Sequence, residues 1–159
     1  ECLERVRSLI LVEAEGEVNV VRDYDLSLPE LTADPDQLIQ ALLNITGNAL
    51  QALRENSKQT QPPQIILRTR AQRQFTIGAI RHRLVLRLDI IDNGPGIPPS
   101  LIDSIFYPMV TGRASGSGLG LSISQDIIHL YHGLIECESR SGQIIFSIFL
   151  PLESGHDSR

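Results

Sequence analysis

Two cysteines in a chain of 159 residues exclude several classes at once. Cys2 and Cys137 stand far apart and form no C-x-x-C pair, so neither a disulfide framework nor a cysteine-built zinc site is encoded. Apolar runs fall well short of the ~20 residues that a spanning helix needs, so no membrane segment is expected. The first residues lack the pattern of a signal peptide, and a cytoplasmic setting is the expectation. Aromatic residues make up only 4% of the chain and do not interleave with the basic ones, which argues against a stacking platform for single-stranded nucleic acid. The net charge of −5 points the same way, and no nucleic-acid partner is expected. There is no G-x-G-x-x-G fingerprint, no G-x-x-x-x-G-K-[ST] loop and no HRD or DFG set, which excludes the protein-kinase fold. Asp89 and Asp92 are not spaced as a calcium loop. Internal repeats are absent. A hydrophobic content of 42% and a mean hydropathy near zero fit one globular domain with a real core.

Glycine is concentrated in one region, residues 89 to 121, DIIDNGPGIPPSLIDSIFYPMVTGRASGSGLGL. A strand-like run ends at Asp92, and Asn93-Gly94-Pro95-Gly96-Ile97-Pro98-Pro99 turns tightly after it. Asn-Gly is a common hairpin turn, but prolines at 95, 98 and 99 cannot continue into a central strand. A second cluster, Gly116-Ser117-Gly118-Leu119-Gly120, runs straight into a periodic helix, which a flexible linker would not do. An acid at a strand end and the unsatisfied N–H groups of a helix start suggest a nucleotide site, since the acid can accept from a base and the N–H groups can meet phosphate.

The remaining elements follow from periodicity. Residues 2–14 predict a helix with Leu3, Val6, Leu9 and Ile10 on one face, broken by Gly16. Val18 to Asp23 reads as a strand. Asp34 is a natural N-cap, with Pro35 and Asp36 in the first turn. The helix it opens reaches about Leu53 and has a Leu38, Leu42, Ile45, Ala49, Leu53 stripe. Asn44 and Asn48 lie one turn apart at the edge of that stripe, with small Ala41 and Ala52 flanking Asn48. Two such asparagines can be an exposed polar face. Because asparagine is a mediocre helix former, their place beside small residues favours a functional reading. Residues 54–63 form a polar loop. Gln64–Arg70 and Arg83–Asp89 predict neighbouring strands joined by a loop containing Gly78, and their arginines suit a solvated sheet face. Leu119, Ile123, Ile127 and Leu130 predict one face of the next helix, with Gly133 past its end. His129 and His132, three apart, read as solvent-facing rather than as metal ligands. Leu134–Ser139 and Gln143–Leu150 close the domain as strands, with Cys137 turned inward as a small hydrophobe. The domain is expected to span residues 1–152, and residues 153–159, ESGHDSR, to form a disordered tail.

These residues also carry a resemblance. Asn44-x-x-x-Asn48-Ala49 resembles the N box of sensor histidine kinases, and Asp92-Asn93-Gly94-Pro95-Gly96-Ile97 their first glycine box. Phe106-Tyr107-Pro108-Met109 resembles the F box, and Gly116-Ser117-Gly118-Leu119-Gly120-Leu121 the second glycine box. The four occur in family order and spacing across about residues 34–151. Single boxes are weak signals, but the combination is specific. FYPMVTGRASGSGLGLSIS and the earlier RDYDLSLPEL are similar to the nitrogen-regulation sensor kinases of the NtrB type.

The resemblance implies an α+β fold, the two-layer Bergerat α/β sandwich. It would have a mixed sheet of about five strands, about three helices on one face and a mobile ATP lid over residues 106–116. It further implies that ATP and Mg²⁺ bind, with Asp92 accepting from the adenine amino group near Gly94, Gly96 and Ile97. Asn48 would hold Mg²⁺ through its amide oxygen, and Asn44 would position phosphate or metal-bound water. Tyr107, Thr111, Arg113 and Ser117 would complete the nucleotide site, as would the N–H groups of Gly118, Leu119 and Gly120, with Arg113 a candidate for the γ-phosphate. Asn44, Asn48 and Arg113 are the catalytic set. The activity implied is γ-phosphoryl transfer to a histidine. The implied partners are the chain's own phosphoacceptor/dimerisation domain, an NtrC-type response regulator and a PII-type signal protein.

Three features depart from the family pattern. Gln51 stands where many members have a basic residue, Met109 replaces the second F-box phenylalanine, and His82, His129, His132 and His156 all lack the phosphoacceptor context. Two other readings share the motifs. One is an ATPase of the gyrase, Hsp90 or mismatch-repair type, whose members carry a glutamate at the position of Asn44. The other is a nucleotide-sensing docking module without catalysis.

Overall fold

The computed structural model describes residues 2–29, 31, 33–56, 61–102, 104–106, 118–140 and 142–152. The elements are α1 (Cys2–Ala14), β1 (Asn19–Asp23), α2 (Pro35–Glu55), β2 (Gln64–Ile77), β3 (Ile80–Asp92), α3 (Pro99–Ile102), α4 (Gly118–Leu130), β4 (Leu134–Arg140) and β5 (Gln143–Pro151). The strands form one sheet in the order β1-β2-β3-β5-β4. β1 runs parallel to β2 and every other pair is antiparallel, so the sheet is mixed, as expected.

Alternation within the strands sets the two layers. Ile65, Leu67, Leu88, Ile90, Ile144, Phe146, Ile148 and Leu150 face the helices and join one core with Val6, Ile10 and the α2 stripe. All five stripe residues predicted for α2 are buried. The face of α1 differs from the prediction, because Leu9 is 51% exposed and the packed residues are Val6, Ile10 and Ala14. α4 is also rotated from its predicted face. Ile123 and Leu130 are exposed, while Ser124 and Ile128 are fully buried. A single apolar face read from periodicity misplaces residues when small or polar side chains take the closest contact with a neighbouring helix.

β2 and β3 extend well beyond their predicted ends. They run to a two-residue loop, Gly78-Ala79, with Gly78 at φ 61° in the position a type II′ turn requires. Gln74 takes a left-handed φ of 55°, and the adjoining Phe75 ring stacks on Phe149 at 4.4 Å between centroids. α4 ends differently too. His132, at φ 64°, takes the left-handed position expected for Gly133. Gly133 is required for another reason: a Cβ there would stand 2.5 Å from the Phe149 carbonyl oxygen.

The arginines of the sheet are not merely solvated. Asp89, 1% exposed on the face away from the helices, accepts from Arg68 at 2.9 Å, Arg87 at 3.1 Å and Ser147 at 2.7 Å. Burial pushes its carboxyl up, and the hydrogen bonds from Ser147, Arg68 and Arg87 outweigh burial and hold it below the ordinary carboxylate range. Arg70 pairs with Asp23 at 2.9 Å. Among the described residues, no helix is long and apolar enough to cross a membrane.

Candidate nucleotide site

α2 forms the spine of the site. The Asp34 side chain accepts from the Asp36 N–H at 2.9 Å and fixes the start of the helix, with Pro35 behind it. Ten residues later the buried stripe leaves Asn44 and Asn48 half-buried at its edge. The Asn48 Nδ2 donates to the Asn44 carbonyl at 2.8 Å. Since only the NH₂ end of an amide can donate, this bond directs the nitrogen at the helix backbone and turns the oxygen the other way.

α4 crosses α2 antiparallel, and three contacts set the register. The Tyr131 hydroxyl accepts from the Asp34 N–H at 3.0 Å and donates to Gln37 Oε1. The Ser124 hydroxyl donates to the Ala41 carbonyl at 2.8 Å. From Tyr131 back to Ser124, α4 therefore advances along α2 from residues 34–37 to residue 41. Continuing at about 1.5 Å per residue from Ser124 to Gly118 brings the first turn of α4 alongside Asn44 and Asn48. The positive end of that helix thus lies near the two amides.

The turn after β3 closes the other end. Asp92, 2% exposed, is the last residue of β3 and points to the helix side. Its Oδ1 accepts from the Gly94 N–H at 2.9 Å, an Asx-type turn. A Cβ on Gly94 would sit 2.9 Å from that oxygen and 3.5 Å from Leu53 Cδ2, so α2 passes directly over the turn. Asn93 is no hairpin residue. Its Oδ1 accepts from Gln64 N–H at 2.9 Å and its Nδ2 donates to the Pro62 carbonyl at 2.8 Å, tying the turn to the start of β2. Gly96 is left-handed at φ 90°, and a Cβ on it would stand 2.9 Å from the Arg140 carbonyl oxygen. The Ile97 N–H donates to Ser139 Oγ at 2.7 Å. Cys137, two residues earlier on β4, is pushed up to about 12 by burial and by the charges of Asp92 and Glu138.

Leu53 lies five residues past Asn48, about 7.5 Å farther along the α2 axis. The arrangement therefore has a buried carboxylate at one end and two amides beside a helix start at the other, spaced along one helix. That donor set suits a nucleotide laid along α2, with its base at Asp92 and its phosphates at α4.

The sequence matches the family of histidine kinase-, DNA gyrase B-, and HSP90-like ATPases over residues 33–154. The chain belongs to that family. It is 52% identical over 149 residues to the sensory histidine kinase/phosphatase NtrB of Escherichia coli O157:H7, covering 94% of this chain and 41% of the relative. It is 48% identical over 154 residues to NtrB of Vibrio alginolyticus, covering 96% and 42%. The chain thus spans about two fifths of the length of these curated relatives. In fold it is similar to the nucleotide-free catalytic domain of the histidine kinase ThkA, with a TM-score of 0.77 and 24% identity over 99% of this chain and 93% of that one. The expected fold class and family are those found.

Within this member of the histidine kinase-, gyrase- and HSP90-like family, Asn44 and Asn48 share the edge of one α2 face, Asp92, Gly94, Gly96 and Ile97 share the turn beside Leu53, and Gly118–Gly120 open the helix that the Ser124–Ala41 contact registers against α2. Tyr107, Thr111, Arg113 and Ser117 lie outside the described residues, as does the predicted lid apart from Phe106. Phe106 packs its ring edge-on against the core residue Phe146 at 6.2 Å. Sequence reasoning missed Ser124, Tyr131 and Ser139. Ser124 carried no usable signal, since it lies off the apolar face that periodicity predicts for α4. The other two carried none either, because each acts on an element distant in sequence.

Proposed function

We propose that residues 1–152 form the ATP-binding catalytic domain of a two-component sensor histidine kinase of the nitrogen-regulation type. The observation that supports this most is the spacing along α2, with the Asp92 turn against Leu53 at one end and Asn44 and Asn48, beside the start of α4, at the other. Asp92 accepts from the amino group of adenine, and the Asx turn through Gly94 holds its carboxylate in place. The amide oxygen of Asn48, turned away from its own backbone, is a hard oxygen ligand of the kind magnesium prefers. Magnesium, when bound, would supply positive charge that offsets the charge of the phosphates. Asn44 orients a phosphate oxygen or a water, and the N–H groups of Gly118, Leu119 and Gly120 stabilise phosphate charge. Arg113 and the lid, residues 106–116, complete the cover over the phosphates, joined by Tyr107, Thr111 and Ser117.

Catalysis is positioning plus electrostatic stabilisation, with the γ-phosphoryl group passing to a histidine on the phosphoacceptor/dimerisation domain. The acceptor imidazole is its own nucleophile, so no general base is needed here. Asn44 cannot accept a proton from water, which disfavours hydrolysis and the gyrase-type reading. The onward acceptor is an aspartate of an NtrC-type response regulator, and a PII-type protein is the controlling partner in the cytoplasm.

The test mixes this domain with a purified helical hairpin carrying the acceptor histidine, together with Mg²⁺ and γ-labelled ATP. Labelled hairpin is the expected result. Free phosphate without labelled protein would mean an ATPase, and neither product would mean a nucleotide-sensing module.

A further inference from the structure

We propose that Ser139, at the end of β4, is a positioning residue for the base end of the nucleotide site. The inference rests on the nucleotide reading above. Side chains and strand ends around it hold the turn from Asp92 to Ile97 in shape. Asp92 Oδ1 fixes Gly94, Asn93 ties to Gln64 and Pro62, and beyond Gly94 the Ile97 N–H donates to Ser139 Oγ at 2.7 Å. Gly96 allows this contact. Its left-handed φ of 90° and the missing Cβ let the backbone press onto the Arg140 carbonyl and the Ser139 hydroxyl, which a Cβ would meet at 2.9 Å and 3.2 Å.

Side-chain alternation places Ser139 on the same face of β4 as Cys137, the face turned toward the core, while Glu136 and Glu138 face out. Cys137 in turn lies close enough to Asp92 for that carboxylate to raise its thiol pKa. One strand end therefore borders both the acid that meets the base and the turn that frames it. β4 is fixed along its length to β5, through Cys137 with Phe146 and Ser139 with Ile144. The hydroxyl thereby couples a glycine- and proline-rich turn to a rigid sheet.

Removing the hydroxyl leaves the Ile97 N–H without this acceptor and widens the set of turn conformations. Affinity then falls by the fraction of time the turn spends in the competent shape. A hydrogen bond of this kind corresponds to about a tenfold change in that fraction. The loss belongs to the base and not to the phosphates.

Calorimetry with ADP and with adenosine tests this on wild-type protein, Ser139→Ala and Ser139→Thr, with circular dichroism to establish folding. Both ligands should bind Ser139→Ala about tenfold more weakly and by the same factor, and threonine, which keeps the hydroxyl, should restore most of the affinity. In parallel, the Ile97 amide should exchange faster in Ser139→Ala. In phosphotransfer, KM for ATP should rise with kcat held. A folded Ser139→Ala with wild-type affinity would overturn the inference, and so would a loss seen for ADP but not for adenosine. Wild-type protein that binds neither ligand would instead overturn the nucleotide reading itself.

Discussion

Asp89→Asn is the sharpest test of what holds the sheet together. The carboxylate is 1% exposed and uses both oxygens: Oδ1 accepts from Arg87 Nε and Ser147, and Oδ2 from Arg68 through Nε and Nη2. An amide of the same shape must turn its NH₂ toward one of these donor sets, so donor meets donor whichever way it flips. Removing one member of a buried charge network typically costs 3–5 kcal/mol. Here Arg68 and Arg87 are 34% and 38% exposed and can turn to water, which places the loss near the lower end, about 3 kcal/mol. For a domain of this size that corresponds to a melting temperature lower by about 6–12 °C. The sign of the pH dependence follows from the depressed pKa of Asp89. Its contribution is complete above the unfolded value of about 3.9 and disappears as pH falls through the lower folded value. The gap between wild type and variant in urea unfolding should thus be constant from about pH 5 to 8 and narrow below about pH 4. Asp89 faces away from α2, so nucleotide affinity should change by less than about twofold. A loss under about 1 kcal/mol, or a gap that persists unchanged into acid, would refute the network as a source of stability.

Asp92→Ala should fold yet lose measurable ATP binding in calorimetry, because the base loses its acceptor and the Gly94 turn its anchor. Asn48→Ala should abolish most magnesium-dependent phosphotransfer while some metal-free nucleotide binding through Asp92 survives. Retained transfer with normal magnesium dependence would reduce Asn48 to a polar helix residue. Gly133→Ala should cost about 1–3 kcal/mol in urea unfolding, since its Cβ meets the Phe149 carbonyl at 2.5 Å and backbone must move. Amide exchange across residues 106–118 should slow with a non-hydrolysable ATP analogue, by a shift toward a closed lid. Equal exchange with and without the analogue would rule the lid mechanism out.

α2 was legible because its signals agree: the Asp34-Pro35 start, the apolar stripe and the paired asparagines all act within one helix. The turn at Asp92 was legible from its prolines, which exclude the hairpin that Asn93-Gly94 alone suggests. The length of the β2–β3 hairpin was hidden by its arginines and glutamines, which read as loop until the partner strand supplies their backbone bonds. The faces of α1 and α4 were partly misread because Leu9, Ile123 and Leu130 fit a helical period as well as the residues that pack. Asp89, Ser139 and Tyr131 gave no warning, since each finds its partners across the sheet or on another helix. The family's four boxes name the candidate site. The contacts that hold it in register lie between elements, where a one-dimensional pattern carries no signal.

The β2–β3 hairpin continues past both its neighbours, since β1 pairs only as far as Arg68 and β5 only from Val85. Among the described residues, both strands of its outer half therefore carry edges with no strand beside them, the feature through which sheets of separate molecules fuse. No carboxylate occurs from Thr69 to Leu88, whereas Arg73, Arg81 and Arg83 crowd the outer half, in a chain whose net charge is −5. Two copies approaching edge to edge would bring like charges together before any backbone bond could form. The bend at Gln74, closed by the Phe75–Phe149 stack, also removes the flatness that such pairing needs. The arm that makes this sheet longest is thereby the part least able to recruit another copy, and that protection weakens as salt screens its charge.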